Sequence, residues 1–331
     1  MKNKSLIGTL IVLTLLVIGS IISENKNQIQ RGSKNQVVKI GILQYVTHEA
    51  LDQIKKGVED GLADGGYFGK KVKMTLMNAQ ADQSKIQTMS KQLVQDKNDL
   101  LIGIATPAAQ GLASVTKDIP VVMGAVSDPI GAKLVKNLKK PTSNVTGLSN
   151  SLPIKQEVSL IQELTPNVKT VGVLYASNED NSVSQVAQFE KEAKTVGLKV
   201  EKFAVPSTNE IATTMSVMTS RVDAVFVPQD NTIASAFSTV VTAAKAKSIP
   251  IYSSVDTMVK EGSIASIAQN QYQLGVETAK VAIKILSGKK VSQVPVKVVD
   301  RGTPTLNLKV ARELGIDIPE KLAKKADIAV K

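Results

Sequence analysis

The chain has 331 residues, 43% of them apolar and 3% aromatic, enough for two domains of ordinary size, each with its own core. It contains no cysteine, which excludes disulfides, thiolate metal sites, a cysteine nucleophile and a lipid-bearing cysteine. The formal net charge of +12 is carried by scattered lysines without interleaved aromatics, so it reads as a solvated surface suited to an anionic wall or lipid and not as a nucleic-acid interface.

The first element is an address. Lys2 and Lys4 precede residues 6–22, an apolar run without a charge. The run lies at the short edge of a membrane span, and residues 1–23 have the layout of a signal peptide or signal anchor. No A-x-A cleavage pattern follows, which favours retention. Positive residues ahead of the run put the N-terminus inside and the body outside. Residues 24–36, polar and unpatterned, read as a linker. The expected location is therefore the extracytoplasmic face of the membrane, held by this segment, or the medium if the segment is cut.

Residues 37–43 (VVKIGIL) form a nearly continuous apolar run, as in a parallel strand covered on both faces. Leu51, Ile54, Val58 and Leu62 then recur at helical spacing, with Thr47 as N-cap and GGYFG at 65–69 as the stop. A strand at 72–77 follows, then a helix marked by Ile86, Met89 and Leu93, and a strand at 100–104. A helix opened by Pro107, a strand at 120–123 and a short strand at 144–148 complete the first set. The second set has strands at 170–174, 199–203, 224–227 and 250–252. Between them lie a helix striped by Val183, Val186, Phe189, Ala193 and Val196, and helices at 211–218 and 232–244. A helix at 274–286, a late strand at 295–299 and a helical piece at 311–314 close the chain. Strands alternating with helices in this way predict an α/β protein with doubly wound parallel sheets.

The two sets repeat one layout. VVKIGIL matches KTVGVL, DLLIG matches DAVFV, and KDIPVV matches KSIPIY, at a near-constant spacing. The expected architecture is two doubly wound parallel-sheet lobes with a ligand cleft between them. Residues 37–149 plus about 270–290 are assigned to one lobe, and 150–269 plus about 300–331 to the other. Hinges are expected near 150–153 and 269–271.

Ligands of such sheets bind beyond the carboxyl ends of the strands. The loops there are rich in Ser, Thr, Asn, Gln, Asp and Tyr. Tyr45 and Tyr175 open the equivalent first loops of the two lobes and are expected to line the pocket; Tyr252 and Tyr272 also stand near strand ends. Thr106-Pro107 and Ser127-Asp128-Pro129 lie between a strand and a helix start, where free N–H groups and the helix dipole attract a carboxylate. Asp230, with Asp256 behind it, can accept from an ammonium; local capping is the competing role for these acids. Together these features suit an amino-acid zwitterion. Catalysis finds little support. His48 is the single histidine, no G-x-S-x-G elbow accompanies it, and nucleotide-binding and zinc patterns are absent. Glu179 and Asp180 read as solvated or capping acids. No cofactor and no metal are expected.

The segments IGILQYVTHEALDQIKKGVEDGLADGGY, GIATPAAQGLASVTKDIPVV, AVSDPIGAKLV, NVTGLSN, VGVLYASNEDNS and VPQDN together resemble the ABC-transporter substrate-binding proteins of the tryptophan/tyrosine type from Gram-positive bacteria. The resemblance covers the chain after the linker. It implies a type I periplasmic-binding-protein-like fold with three crossovers, and delivery of an aromatic amino acid, tryptophan first, to an ABC permease and its ATPase by a monomeric binding protein. It implies ligand contacts at Gln44, Tyr45, His48, Thr106, Ser127, Asp128, Tyr175, Asn178, Asn181, Gln229, Asp230 and Asp256. Many relatives carry a lipid-anchoring cysteine, which this chain lacks. A nucleoside- or sugar-binding protein, and an enzyme on the same scaffold, are the competing readings.

Overall fold

In the computed structural model, residues 37–152 and 154–331 are described. The apolar run at 6–22 and the linker lie outside them. No helix among the described residues is long and apolar enough to cross a membrane.

The first set of strands is β1 (Val38–Gln44), β2 (Val72–Asn78), β3 (Leu100–Ile104), β4 (Val121–Val126) and β5 (Val145–Ser149). The second is β6 (Thr170–Ala176), β7 (Lys199–Val205), β8 (Ala224–Val227), β9 (Ile251–Ser253) and β10 (Ala265–Ala268). The chain ends with β11 (Lys297–Val298), β12 (Thr303–Asn307) and β13 (Asp327–Val330). They form two sheets, in the orders β11-β5-β4-β3-β1-β2 and β13-β12-β10-β9-β8-β6-β7. The cores of the two sheets are wound alike, β2-β1-β3-β4-β5 in one and β7-β6-β8-β9-β10 in the other. The near-repeat in the sequence is thus a repeat of topology. Pairing is parallel, except that β12 runs antiparallel to β10.

Helices α1 (Glu49–Asp64), α2 (Gln83–Gln95) and α3 (Thr106–Val115) connect the first set of strands. Helix α4 (Ile154–Leu164) leads into the second, where α5 (Asp180–Thr195), α6 (Ile211–Met218), α7 (Asn231–Ser235), α8 (Phe237–Lys245) and α9 (Asp256–Glu261) follow. Helix α10 (Gln271–Leu286) returns to the first lobe, and α11 (Leu308–Glu313) and α12 (Glu320–Ala323) lie in the second. The chain therefore crosses between lobes three times: after β5, after β10 and after β11.

Several expectations change in detail. His48, not Thr47, is the N-cap of α1; the Thr47 hydroxyl instead accepts from Asn78 Nδ2 at 2.8 Å. The single helix expected at 232–244 is two, broken at Ala236, which has φ −131°. The return to the first lobe extends through β11, which pairs with β5.

In the second lobe, Phe189 and Phe226 stack at 4.2 Å between ring centroids, within a core that also contains Leu174's neighbour Val173, Ile161 and Ile264. In the first lobe, α1 and α10 cross with no room for side chains. A Cβ on Gly275 would lie 2.0 Å from the Ile54 carbonyl oxygen, and one on Gly57 2.1 Å from that of Tyr272. Backbone cannot yield as a side chain can. Gly275→Ala is therefore expected to destabilise the fold by about 1–3 kcal/mol, the usual cost of overpacking, despite alanine's better helix propensity. An unchanged urea midpoint would show that the helix pair can spread.

Candidate functional site

In each sheet the winding reverses beside its first strand, between β1 and β3 and between β6 and β8. Such switch points open a crevice at the carboxyl ends of the strands. The loops there carry His48 and Thr106 in one lobe, and Asn181 and Gln229–Asn231 in the other. They face each other across a cavity.

Part of the lining is aliphatic: Ala50, Leu51 and Ile54 from α1, with Ala234 and Val255 from the second lobe. The rest is mostly polar. The first lobe contributes Thr106 and Ser127, the crossovers Asn150 and Gln271, and the second lobe Asn181, Gln229 and Asp230. The Ser127 hydroxyl, Asn150 Oδ1 and Asn181 Oδ1 are buried with no hydrogen-bond partner within the protein. Asn181 cannot turn to relieve this, because its Nδ2 donates to the Gln229 carbonyl at 2.9 Å. Thr106 and Ser127 follow backbone in the left-handed region: Ala105 and Ala125 have φ of 75° and 56°, which is uncommon for a residue with a side chain.

Beneath the second lobe's polar wall lies Glu179, which is fully buried. It accepts from the backbone N–H groups of Asn231 and Thr232, the Thr232 hydroxyl, and the side-chain amides of Asn231 and Asn181. Of the two roles expected for Glu179, solvated or capping, the structure shows the second: it is buried, and it caps the N-terminus of α7 and ties the loop after β6 to it. Because Asn231 Nδ2 points to Glu179, its Oδ1 is left to face His48 Nε2, at 3.4 Å. Burial lowers the His48 pKa to about 4, so the imidazole is neutral at physiological pH.

The remaining expected contacts divide sharply. His48, Thr106, Ser127, Asn181, Gln229 and Asp230 line the cavity. Both Asp230 oxygens are already engaged, one with Ala176 N–H at 2.6 Å and one with Ile233 N–H at 2.8 Å. Burial, then the neighbouring Glu179 charge, raises its pKa. Gln44 braces its own loop, donating to the Val46 carbonyl and to Asp52. Tyr45 is wholly buried, and burial first, then Glu179, raises its phenol pKa. Tyr175 packs on the second lobe's core. Asn178 is exposed. Asp128 accepts from the Ser184 hydroxyl of the opposite lobe at 2.9 Å. Asp256 borders a different space, with Asn270 and Glu277. Tyr252 bonds Thr165 inside the core, and Tyr272 bonds Asp60 at the surface. Among the described residues, then, no tyrosine lines the cavity. Asn150, Asn231, Gln271 and the aliphatic wall were not among the expected contacts. Asn150 and Gln271 carried a signal all the same, since both stand at the expected hinges.

Contacts between the lobes mark a closed conformation. Besides Asp128–Ser184 and His48–Asn231, Gln110 Nε2 donates to Asp180 at 2.8 Å and Gln229 Nε2 to the Asn150 carbonyl at 3.4 Å.

Two similar α/β lobes, joined by three crossovers and closed on a cavity both of them line, define a two-lobed binding protein of the type I periplasmic kind. Residues 39–330 match the family of ABC transporter substrate binding proteins; the chain belongs to that family and is the substrate-binding component of an ABC transporter. It is similar to a tyrosine-binding protein of Clostridioides difficile (strain R20291), 37% identical over 86% of this chain and 82% of that one. Among solved structures it resembles an ABC domain from Streptococcus pneumonia in complex with L-Trp, at 56% identity and TM-score 0.87, over 88% of this chain and 99% of that one. It also resembles the ligand-free, open structure of a Clostridium difficile substrate binding protein with adhesive properties, at 34% identity and TM-score 0.67, over 89% and 100%. The better fit to the complex agrees with the cross-lobe contacts.

Proposed function

We propose that the protein binds an aromatic L-amino acid, tryptophan first, in the interlobe cavity and delivers it, unchanged, to a membrane permease driven by an ATPase. The single observation that carries this reading is the mixed lining of the cavity: an aliphatic wall together with three residues whose buried polar atoms have no partner. Such atoms are costly unless something bonds them. A ring suits the aliphatic wall. The carboxylate of an amino acid suits the Thr106 hydroxyl at the start of α3 and the Ser127 hydroxyl after β4, and its ammonium suits the oxygens of Asn150 and Asn181, with Asp230 behind. The relatives' ligands, tyrosine in one and L-Trp in another, support the same class. Cleft closure follows ligand contact with both lobes. In this reading the protein works outside the cytoplasm, tethered by residues 1–36, and performs no turnover.

Ser127→Ala separates binding from folding. Its hydroxyl has no partner in the protein, so removing it relieves a buried polar group. Ligand-free stability should hold or rise, while affinity for tryptophan falls roughly tenfold, the value of one hydrogen bond to a charged group. Calorimetry and urea melts of the variant read both. Full affinity for tryptophan in the variant would refute this carboxylate site. Failure of tryptophan, tyrosine and phenylalanine alike to bind the wild type would refute the ligand class.

A further inference from the structure

The cross-lobe bonds fall into two groups. His48–Asn231 and Gln229–Asn150 involve residues that line the cavity. Two others do not. Gln110, on α3, donates its amide to Asp180 Oδ2 at 2.8 Å and to the Ala132 carbonyl at 3.1 Å. Ser184 donates its hydroxyl to Asp128 Oδ2 at 2.9 Å. Asp180 and Ser184 are four residues apart at the start of α5 and so share one face. Gln110 and the 128–132 turn face them from the first lobe, and Asp128 Oδ1 is fixed in that turn by the Gly131 N–H at 2.8 Å. None of the four borders the cavity.

We infer that Gln110 and Asp128, paired with Asp180 and Ser184, form a rim latch that sets the open–closed equilibrium of the lobes and thereby scales affinity for every ligand the cleft accepts. The inference rests on the reading of the cleft as the ligand site. Its chemistry suits a joint that must reopen. Each bond pairs a carboxylate with a neutral donor, stronger than a bond between neutral groups but without the desolvation of a buried ion pair. The exposed Glu49–Lys260 pair, at 3.5 Å, also spans the lobes but is worth little by comparison. A residue that stabilises only the closed state favours closure over the bound ligand and so slows its release, whatever sits in the cavity. These are positioning residues. They alter how firmly the lobes hold and not what the cavity selects.

The test uses Ser184→Ala and Gln110→Ala, singly and together, with Asp128→Asn as the conservative variant. Asp128→Asn keeps an oxygen for the Gly131 N–H and a polar atom for the Ser184 hydroxyl. Binding of L-tryptophan and L-tyrosine is measured by calorimetry. Each single variant is expected to lose about three- to tenfold, the range of one modest hydrogen bond. The factor should be the same for both ligands, should appear in the dissociation rate, and should multiply in the double variant. Asp128→Asn should retain most of the affinity. Losses that differ between the ligands, or no loss in either single variant, overturn the latch. A second readout needs no ligand. The chain lacks cysteine, so Lys136→Cys and Lys191→Cys, exposed positions on opposite lobes, can be spin-labelled specifically. The closed population of the ligand-free protein should fall in the double variant, and an equal population in both overturns the latch. If wild type binds neither amino acid, the ligand assignment fails while the label distances still decide the latch.

Discussion

Glu179→Ala is expected to dismantle the second lobe's half of the cleft and to lower stability by about 3–5 kcal/mol, the range reserved for breaking a buried polar network. The side chain is fully buried and takes five hydrogen bonds from Asn181, Asn231 and Thr232. Alanine would leave those donors without their acceptor. It would also free Asn181 and Asn231, so the cavity would lose its fixed polar wall. Affinity for tryptophan should disappear with it. Glu179→Gln tests the charge alone. It keeps the shape but presents an amide to a ring of donors, so it should lose binding with a smaller loss of stability. A Glu179→Ala variant that melts at the wild-type urea midpoint and binds normally would show that the loop is held some other way.

Glu179 also illustrates where reading a sequence stops. An acid on the loop after a strand is ordinarily solvated, and nothing near it in sequence says otherwise. Its partners Asn231 and Thr232 lie more than fifty residues on and reach it only because β8 is laid beside β6. The strands themselves were legible, since buried parallel strands are apolar throughout; the two matching windings follow from two matching series of such runs. The switch-point loops were legible for the same reason, and with them His48, Thr106, Ser127, Asn181 and Gln229. The tyrosines misled because nearness to a strand end does not say which face a side chain takes. Tyr175, one residue before the end of β6, faces the helix layer and joins the core. The aliphatic wall was hidden in plain view: Leu51 and Ile54 belong to the same stripe that marks α1 as amphipathic, and a stripe does not reveal that its first turn faces a cleft. The β13 segment, an edge strand with no fully buried residue, offers no such pattern.

Glu157→Gln is expected to flatten the pH dependence of stability. Glu157 lies on α4, the first helix after the first crossover, and is fully buried. It accepts from the Ile267 N–H of β10 at 3.2 Å, just before the second crossover, so it binds together the two ends of the joint. Burial raises its pKa from 4.5 to about 8, against the pull of that N–H. Between these values the folded protein keeps a proton that the unfolded chain has released. Raising the pH through this window therefore favours unfolding. The stabilising contribution is complete below pH 4.5 and is lost by about pH 8, at about 1.4 kcal/mol per pH unit. Asp230 is raised in the same direction by burial and by Glu179, so the wild-type slope is steeper than Glu157 alone provides, and the variant isolates one share of it. Glutamine is neutral at every pH and retains an oxygen for the Ile267 N–H. Urea midpoints at pH 5, 6, 7 and 8 should fall for wild type and fall less for Glu157→Gln, with the variant more stable at pH 8. Parallel curves would mean that Glu157 does not titrate in this window. Because ionisation would place a charge at the joint about which the lobes close, the same series should show wild-type ligand affinity weakening as the pH approaches 8, more than that of the variant.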